Sequence, residues 1–315
     1  MYLDQLSFLP KEKEEIILAH GYKIVTFEEK PHFDPYYDKM NDWWSSPMSF
    51  MAMIAWETAL KFYYKAVGEY LVCLGWDATT GKMTVLPFLG KYENKTLAEA
   101  FQIVREELDE MGYPLCITDM REWMQPYYDA IPGTSWEKTE SDTLSDYVYA
   151  AAEFDHFHGK SGQYHRYFLK NYDYSVEEVT PSHLPVITDF IREIWCSHTD
   201  CSACNYGCPI DCISKVLPCL KELSGFGILV RVEGRVVGYC IGSVHNGMAI
   251  YHFQNTREEY RGIGMFMYHE IRTRMLPHVS IISLGEDMGL PGIRTFKTRL
   301  APHEWIPRFE YALMT

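Results

Sequence analysis

The stretch that decides the fold reads Glu259-Tyr260-Arg261-Gly262-Ile263-Gly264. It follows the run Met248 to Gln254, which is typical of a strand. It opens a segment whose apolar side chains recur every three or four residues, as in a helix, namely Ile263, Phe266, Met267, Ile271 and Met275. Glycines at a strand-to-helix turn let the backbone approach a phosphate, toward which the free amides of the first helical turn point. Arg261, Gly262 and Gly264 are therefore candidate ligand-binding residues.

The rest of the second half of the chain completes an α/β module around this turn. Apolar spacing predicts a helix near Ser182 to Trp195. The runs Gly227 to Val232 and Arg235 to Ser243 flank Glu233-Gly234, a pair typical of a two-residue hairpin turn. A further strand is expected at Ser280 to Leu284. Strands on both sides of the helix predict a sheet flanked by helices.

The first half has the same order of elements in a different sequence. Three extended runs are predicted at Ala59 to Lys65, Tyr70 to Trp76 and Lys82 to Leu89. A helix should follow at about 96–111, because Thr96 and Glu99 form a capping-box pattern and Gly112 suits a left-handed C-cap. After it, a strand is expected at Leu115 to Thr118 and a helix near Arg121 to Tyr128.

Two modules in tandem fit the length of 315 residues, because one hydrophobic core rarely grows so large. We predict an α/β (α+β) chain with one domain over residues 1–145 and a second over residues 146–315. The aromatic segment from Asp146 to Asn171 is expected to bridge them. A cleft between two domains is the default place for a ligand.

Composition excludes several classes of protein. The formal net charge of −14 disfavours non-specific binding to DNA, since nucleic-acid affinity comes largely from cations. No apolar stretch approaches the roughly 18 residues of a membrane span, and the N-terminus carries no export signal. Nine cysteines without such a signal indicate a reducing compartment, so a cytoplasmic protein is expected.

Two segments carry a family resemblance. The Gly262-Ile263-Gly264 turn resembles the turn with which the acetyltransferase superfamily holds the pyrophosphate of coenzyme A, although Glu259 replaces the usual leading Gln or Arg. The stretch Ser283 to Lys297 is similar to a segment of the phosphatidylglycerol lysyltransferase C-terminal domain family. The coinciding residues are Glu286, Asp287, Gly289, Gly292, Arg294 and Lys297. Arg166 lies in a weaker match to the same family, which extends from Asp146 to Asn171.

This resemblance implies two tandem acetyltransferase-like (GNAT) domains, each a mixed central sheet flanked by helices. It also implies acyl or aminoacyl transfer in the cleft between them, with acyl-CoA or aminoacyl-tRNA as possible donors. Because the lysyltransferases' membrane portion is lacking, a soluble amine or hydroxyl is the expected acceptor, attacking an activated ester or thioester directly. The substrate would be a small molecule or an aminoacyl group, and the residues indicate no oligomeric state.

The residue types at the C-terminal segment suit this chemistry. A carboxylate can take a proton from the attacking group, which makes Glu286 and Asp287 candidate catalytic residues. Arg294 and Lys297, with Arg166, would hold an anionic part of the substrate. The alternative is an acidic pair at a helix start that forms surface ion pairs. In that case the chain would be a non-catalytic ligand-binding or regulatory protein of the same fold.

A cysteine cluster is a second candidate site, formed by Cys201, Cys204, Cys208 and Cys212. Such a density of thiolates can hold zinc or an iron–sulfur cluster. Free cysteines also pack as small hydrophobic residues, and no metal ligand is assigned for this reason. His252 and His269 are interpreted as packing residues and not as catalytic bases.

Overall fold

The computed structural model describes residues 6–154, 156–197 and 207–314, without the side chain of residue 142. Contacts divide these residues into two compact units. The first comprises residues 6–142, 207–208 and 306–314, and the second comprises residues 143–154, 156–197 and 209–305. The sequence assigns the C-terminal residues to the second half, whereas in the structure the last strand pairs within the first unit.

The first unit is a mixed sheet with helices. Its helices are α1 (Lys11–Ala19), α2 (Lys30–Tyr37), α3 (Phe50–Ala55), α4 (Asn94–Met111) and α5 (Gln125–Asp129). Its strands are β1 (Lys23–Ile24), β2 (Leu60–Val67), β3 (Tyr70–Asp77), β4 (Lys82–Val85), β5 (Cys116–Met120) and the C-terminal β12 (Glu304–Leu313), in the sheet order β1-β2-β3-β4-β5-β12. Strands β1 to β4 are antiparallel, and β4 and β5 are parallel.

Helix α4 shows where local sequence signals succeed and where they fail. Its buried face carries Leu97, Phe101 and Val104, as the spacing predicts. Gly112 ends the helix in the left-handed region, with φ 75°. The predicted cap at Thr96 is wrong: the N-cap is Glu93, and the helix begins at Asn94, two residues before the predicted start at 96. The Thr96 hydroxyl instead lies 3.1 Å from the phenol of Tyr70.

The second unit is built in the same way. Its helices are α6 (Gly159–Asn171), α7 (Leu184–Ile191), α8 (Pro209–Val216), α9 (Ile263–Arg274) and α10 (Pro291–Arg299). Its strands are β6 (Trp136–Ala150), which begins in the first unit, β7 (Tyr174–Glu178), β8 (Gly225–Val232), β9 (Arg235–His245), β10 (Met248–Thr256) and β11 (Ile281–Ser283), in the sheet order β6-β11-β10-β9-β8-β7. Strands β10 and β11 are parallel, and the other pairs are antiparallel.

The hairpin between β8 and β9 turns where the sequence predicts. Glu233 and Gly234 both have positive φ, 50° and 81°, which a type I′ turn requires. The helix predicted at Ser182 to Trp195 is present in three pieces: a 3₁₀ turn at Pro181–His183, α7, and a π-helical turn at Arg192–Cys196.

The segment from Asp146 to Asn171 is not a bridge between halves, because it belongs to the core of the second unit. Tyr147 and Tyr149 of β6 and Phe168 of α6 are buried in one cluster with Phe266 of α9. The Phe168 and Phe266 rings stack with centroids 4.6 Å apart. Aromatic residues that look like a linker in the sequence thus attach α6 to α9.

Within the residues that the structure describes, no helix is both long enough and apolar enough to cross a membrane.

Candidate functional site

The segment after β11 forms a tight loop before α10. The loop covers residues 284–290 and contains three residues in the left-handed region, Gly285 (φ 66°), Met288 (φ 51°) and Gly289 (φ 71°). This conformation is sterically unfavourable for Met288, because its Cβ lies close to the backbone, and a glycine would adopt it without that cost. Pro291 stands in the first turn of α10, where its missing N–H and restricted φ are tolerated. The loop therefore presents residue 287 to the start of α10, as the sequence predicts.

Asp287 is the buried centre of this loop, with 2% of its surface exposed. Arg294 donates to it from Nε to Oδ2 at 2.7 Å and from Nη2 to Oδ1 at 3.2 Å. The phenol of Tyr147 donates to Oδ2 at 2.7 Å, and the amide of Gly289 donates to Oδ1 at 2.8 Å. Both carboxylate oxygens are thus held by charge-assisted hydrogen bonds in a bidentate arrangement.

These bonds determine the protonation of Asp287. Burial by itself raises the pKa of Asp287, but the hydrogen bonds from Arg294, Tyr147 and Gly289 outweigh it and hold the pKa below its usual range. Burial and the neighbouring carboxylate raise the pKa of the Tyr147 phenol. Asp287 is therefore an ionised group with its lone pairs in use, which favours an orienting role for Asp287 over the role of catalytic base.

Lys297 is also buried, with 8% of its surface exposed, and its ammonium group holds the loop backbone. Nζ donates to the carbonyl oxygens of Leu284 (2.6 Å), Gly285 (3.2 Å) and Glu286 (2.6 Å). An ammonium group has three N–H donors, so these carbonyls use all of them. The position predicted as an anion clamp thus stabilises the loop that carries Glu286 and Asp287.

Arg294 and Glu286 are the members of this group that solvent reaches. Arg294 keeps 42% of its side chain exposed while Asp287 fixes its guanidinium plane. The carboxylate raises the pKa of Arg294 further, so it remains a cation. Glu286 is half-buried on the same loop. An oriented cation beside a carboxylate is an arrangement that can bind an anionic group and accept a proton nearby.

The glycine turn before α9 has a different environment from the one its pattern predicts. Gly262 has φ 94°, and a Cβ there would lie 2.0 Å from the carbonyl oxygen of Tyr164 in α6. A glycine is therefore required for close packing of two backbones, whatever the ligand. Arg261 is exposed, with its guanidinium carbon 4.6 Å from the ring centre of Tyr164 and 5.2 Å from that of Tyr167.

Gly264 is less constrained than Gly262, since a Cβ there would make an ordinary contact of 3.5 Å with the ring of Phe296. Glu259, which departs from the family pattern, has its carboxylate 3.8 Å from Arg235. Arg257, in contrast, is buried and binds Glu193 and the carbonyl of Val236. The charge of Glu259 is thus offset by Arg235, not by the nearby Arg257.

Arg166, the remaining predicted ligand-binding residue, is exposed on α6. Its guanidinium bends back toward Gly162, where a Cβ would lie 3.2 Å from Nη1. The group around Asp287 forms without Arg166. The structure therefore gathers Glu286, Asp287, Arg294 and Lys297 in one loop and the helix α10 that follows it, and places Arg166 and Arg261 with α6.

Half of the predicted cysteine cluster, Cys201 and Cys204, lies outside the described residues. Cys212 is buried in α8, and Cys208 is half-buried just before it. Among the residues that the structure does describe, no group of His, Cys, Asp or Glu could hold a metal ion. Zinc or iron–sulfur binding stays an untested alternative to packing of these cysteines.

Tyr147 is the member of the site that sequence analysis missed. Its phenol binds Asp287, and its ring lies 5.7 Å from Nζ of Lys297 and stacks on Trp305 at 5.9 Å. It stands 140 residues before its carboxylate partner, so no local spacing indicates the contact. Its position beside Asp146 in the Tyr-rich segment was the available signal.

Comparison with solved structures places this architecture among known folds. A conserved protein of unknown function from Bacteroides thetaiotaomicron VPI-5482 has a TM-score of 0.83 at 19% identity, over 93% of this chain and 99% of that one. FemX has a TM-score of 0.66 at 11% identity, over 93% and 97%. A tandem GNAT protein from the clavulanic acid biosynthesis pathway has a TM-score of 0.53 at 11% identity, over 93% and 98%. The chain thus has a tandem GNAT-like fold, as predicted.

No curated protein matches the chain closely enough to count as a relative. A family model described as phosphatidylglycerol lysyltransferase, C-terminal, matches residues 43–312. The match includes the loop after β11 and the turn before α9. The chain therefore belongs to the phosphatidylglycerol lysyltransferase C-terminal domain family.

Proposed function

We propose that this protein transfers an acyl or aminoacyl group from an activated ester or thioester to an amine or hydroxyl. Membership of a family named for lysyl transfer and the GNAT-like fold support the reaction class. The observation that carries the proposal is Arg294, a partly exposed cation whose orientation the buried Asp287 fixes through two hydrogen bonds. A surface arginine kept only for solubility would need no such partner.

The residues around Arg294 take separate roles in this proposal. Arg294 binds an anionic group of the substrate, such as a carboxylate or phosphate. Glu286 is the candidate proton acceptor, since Asp287 is held in an ion pair. Lys297 and Tyr147 position the loop and its carboxylate, and their effect on transfer is indirect. Arg261 and Arg166, both exposed, are further candidates for contact with a phosphate-bearing donor.

Acyl-CoA and aminoacyl-tRNA remain the donor candidates, and both carry phosphates. The structure of the Gly262 turn supports a phosphate site less strongly than its sequence pattern does. A glycine is needed at this position in any case, because a Cβ would collide with the carbonyl oxygen of Tyr164. Two routes are consistent with this transfer. In the first, which the sequence favours, the acceptor attacks the donor directly. In the second, the acyl group is first transferred to a side chain of the protein and then to the acceptor. That the substrate binds in a cleft between the halves stays a prediction.

The test begins with mass spectrometry of small molecules that co-purify with the protein. Acyl-CoAs and a mixture of charged tRNAs are then offered as donors with pooled amine and hydroxyl acceptors, and acceptor-dependent loss of the acyl group is measured. Arg294→Ala should raise the apparent KM for the anionic substrate roughly tenfold, the loss of about 1.4 kcal/mol of binding. Arg299→Ala, which removes an exposed arginine from the same helix, is the matched control and should leave KM unchanged.

Equal effects of Arg294→Ala and Arg299→Ala would contradict the anion-binding role. Two observations favour the alternative of a non-catalytic binding or regulatory protein. The N–H donors of Lys297 bind backbone carbonyl groups, and Gly262 is required for close packing against Tyr164. A ligand that co-purifies and is never turned over, with affinity still reduced by Arg294→Ala, would establish that alternative.

A further inference from the structure

Strand β10 contains an irregularity that the proposed function does not use. Tyr251 pairs with Gly242 of β9 and Phe253 pairs with Ile241, so His252 is an extra residue in β10. This is a β-bulge, a feature that turns a side chain away from its regular direction and is common beside active sites. The His252 ring is half-buried at this bulge.

The bulge brings His252 to a serine. Its Nε2 lies 2.9 Å from Oγ of Ser243, a residue of β9 with 7% of its surface exposed. Burial lowers the pKa of His252 to about 4, so the ring is neutral near pH 7 and one ring nitrogen is available as a hydrogen-bond acceptor. The serine hydroxyl therefore has a base within hydrogen-bond reach.

A buried carboxylate, Asp146, lies on the same face of the sheet as Ser243. Ile250 of β10 pairs with Ser283 of β11, which pairs with Val148 of β6. Side chains two residues apart in a strand share a face, so Asp146 lies on the face of Val148 and Ser283. Asp146 is fully buried, and its charge raises the pKa of His252 against the effect of burial. An imidazolium formed at His252 would be stabilised by this charge.

From this arrangement we infer that Ser243 is a nucleophile, activated by His252 with Asp146 as its supporting carboxylate, which takes up an acyl group from an activated ester. A hydroxyl within reach of a base that a third group supports is the recurring pattern of covalent acyl transfer. The inference deepens the proposed function and depends on its reaction class, but replaces the direct attack expected from the sequence by two steps.

The steps balance without any further reactant. Oγ of Ser243 attacks the carbonyl carbon of the ester while its proton passes to Nε2 of His252. The bond from that carbon to the leaving oxygen or sulfur breaks, and the leaving group takes the proton from Nε2. The acceptor amine, hydroxyl or water then attacks the acyl-serine, gives its proton to Nε2, and Oγ leaves with that proton restored.

The experiment uses p-nitrophenyl acetate as a small activated ester and the full chain. Release of p-nitrophenolate should show a burst close to one equivalent of protein, and acid-quenched protein should gain the mass of one acetyl group, which peptide mapping places on Ser243. Ser243→Ala should abolish the adduct. His252→Gln, which keeps a polar partner for Ser243, should slow its formation roughly 100-fold or more, the usual contribution of general base catalysis.

Ser161→Ala, a buried serine of α6, is the matched control and should label like the unsubstituted chain. Thermal unfolding of each variant separates loss of chemistry from loss of fold. No adduct, or an adduct only on lysine or tyrosine side chains, overturns the inference. Acceptor-dependent transfer that proceeds without any acyl-serine would keep the proposed function and remove this step from it.

Discussion

Both units place a glycine at the turn that joins a strand to a long helix, but they surround that glycine with different side chains. In the first unit, the turn before α4 contains Gly90 with φ 139°, and a Cβ there would lie 2.9 Å from the carbonyl of Glu69. In the second, Gly262 makes room for the carbonyl of Tyr164. Both glycines are explained by close approach of another backbone. The same need for close backbone packing therefore accounts for Gly262, whose sequence pattern is typical of a phosphate-binding turn, and for the single Gly90 of the first unit.

What surrounds each turn distinguishes the units. After Gly90 the chain inserts Tyr92, which is 2% exposed and packs with Tyr70 at 6.0 Å and with Tyr128 at 6.0 Å between ring centres. Before Gly262 the chain presents the exposed Arg261. The buried carboxylate Asp287 and the Ser243–His252 pair also belong to the second unit. At this position the first unit packs an aromatic core, whereas the second presents an exposed cation.

The sharpest test of this contrast is Tyr128→Ala in the first unit. Tyr128 is fully buried, and its hydroxyl accepts a hydrogen bond from the amide of Phe88 at 3.0 Å. Truncating a buried aromatic residue should cost about 3–5 kcal/mol of unfolding free energy. Urea denaturation measures it, with the half-buried neighbour Tyr127→Ala as control. Equal losses for the two variants would show that the aromatic cluster is not a core.

A second test uses pH and the second unit. Because burial lowers the pKa of His252 to about 4, the unfolded chain, with a pKa near 6.5, binds more protons between these values. The contribution of His252 is therefore fully present above pH ~6.5 and is lost as pH falls toward ~4, by on the order of 3 kcal/mol. Asp287, with its lowered pKa, loses its contribution only at lower pH.

His252→Gln should flatten the decline of stability in that window, as measured by urea titrations at a series of pH values. His156→Gln, at an exposed position, should leave the decline unchanged. If both variants keep the slope of the unsubstituted chain, His252 is not the titrating group.

Lys297→Met addresses the loop that holds Asp287. The substitution leaves three carbonyl oxygens without their charged donor, and hydrogen bonds to charged groups contribute about 1.5–3 kcal/mol. We expect a loss of that size in unfolding free energy. Arg299→Met, on the exposed side of the same helix, should change it little. If Lys297→Met instead lowers substrate affinity and leaves the unfolding free energy unchanged, Lys297 acts as an anion clamp, as the sequence predicts.

The smallest expected effect separates packing from ligand binding at the glycine turn. Gly262→Ala forces a Cβ against the Tyr164 carbonyl in a left-handed conformation and should cost about 1–3 kcal/mol. Gly264→Ala meets only the Phe296 ring at 3.5 Å and should be nearly neutral for stability. Thermal unfolding compares the pair. If Gly264→Ala, with unchanged stability, abolishes binding of a co-purified ligand, the phosphate interpretation of the turn gains support.

Local signals predicted much of the fold because their causes are local. Glu233-Gly234 suits a turn whose two central residues need positive φ, and Gly112 suits a left-handed cap, so both could be identified within a few residues. Pro291 limits α10 for the same kind of reason. The cap at Thr96 failed because the Tyr70 phenol, brought there by tertiary structure, binds both the Thr96 hydroxyl and the backbone amide of Glu93.

In the candidate site, too, some features follow from local sequence and others from tertiary contacts. The sequence by itself determined the family, the turns and several of the strands and helices, and the position of Glu286, Asp287, Arg294 and Lys297 on one loop and the helix that follows it. It could not decide which of them meets solvent. Only the tertiary structure buries Asp287 against Tyr147, directs Lys297 to three carbonyl groups, and brings Ser243 to His252 across a bulge. Reactivity depends on burial and on partners far along the chain, and neither is a property of local spacing.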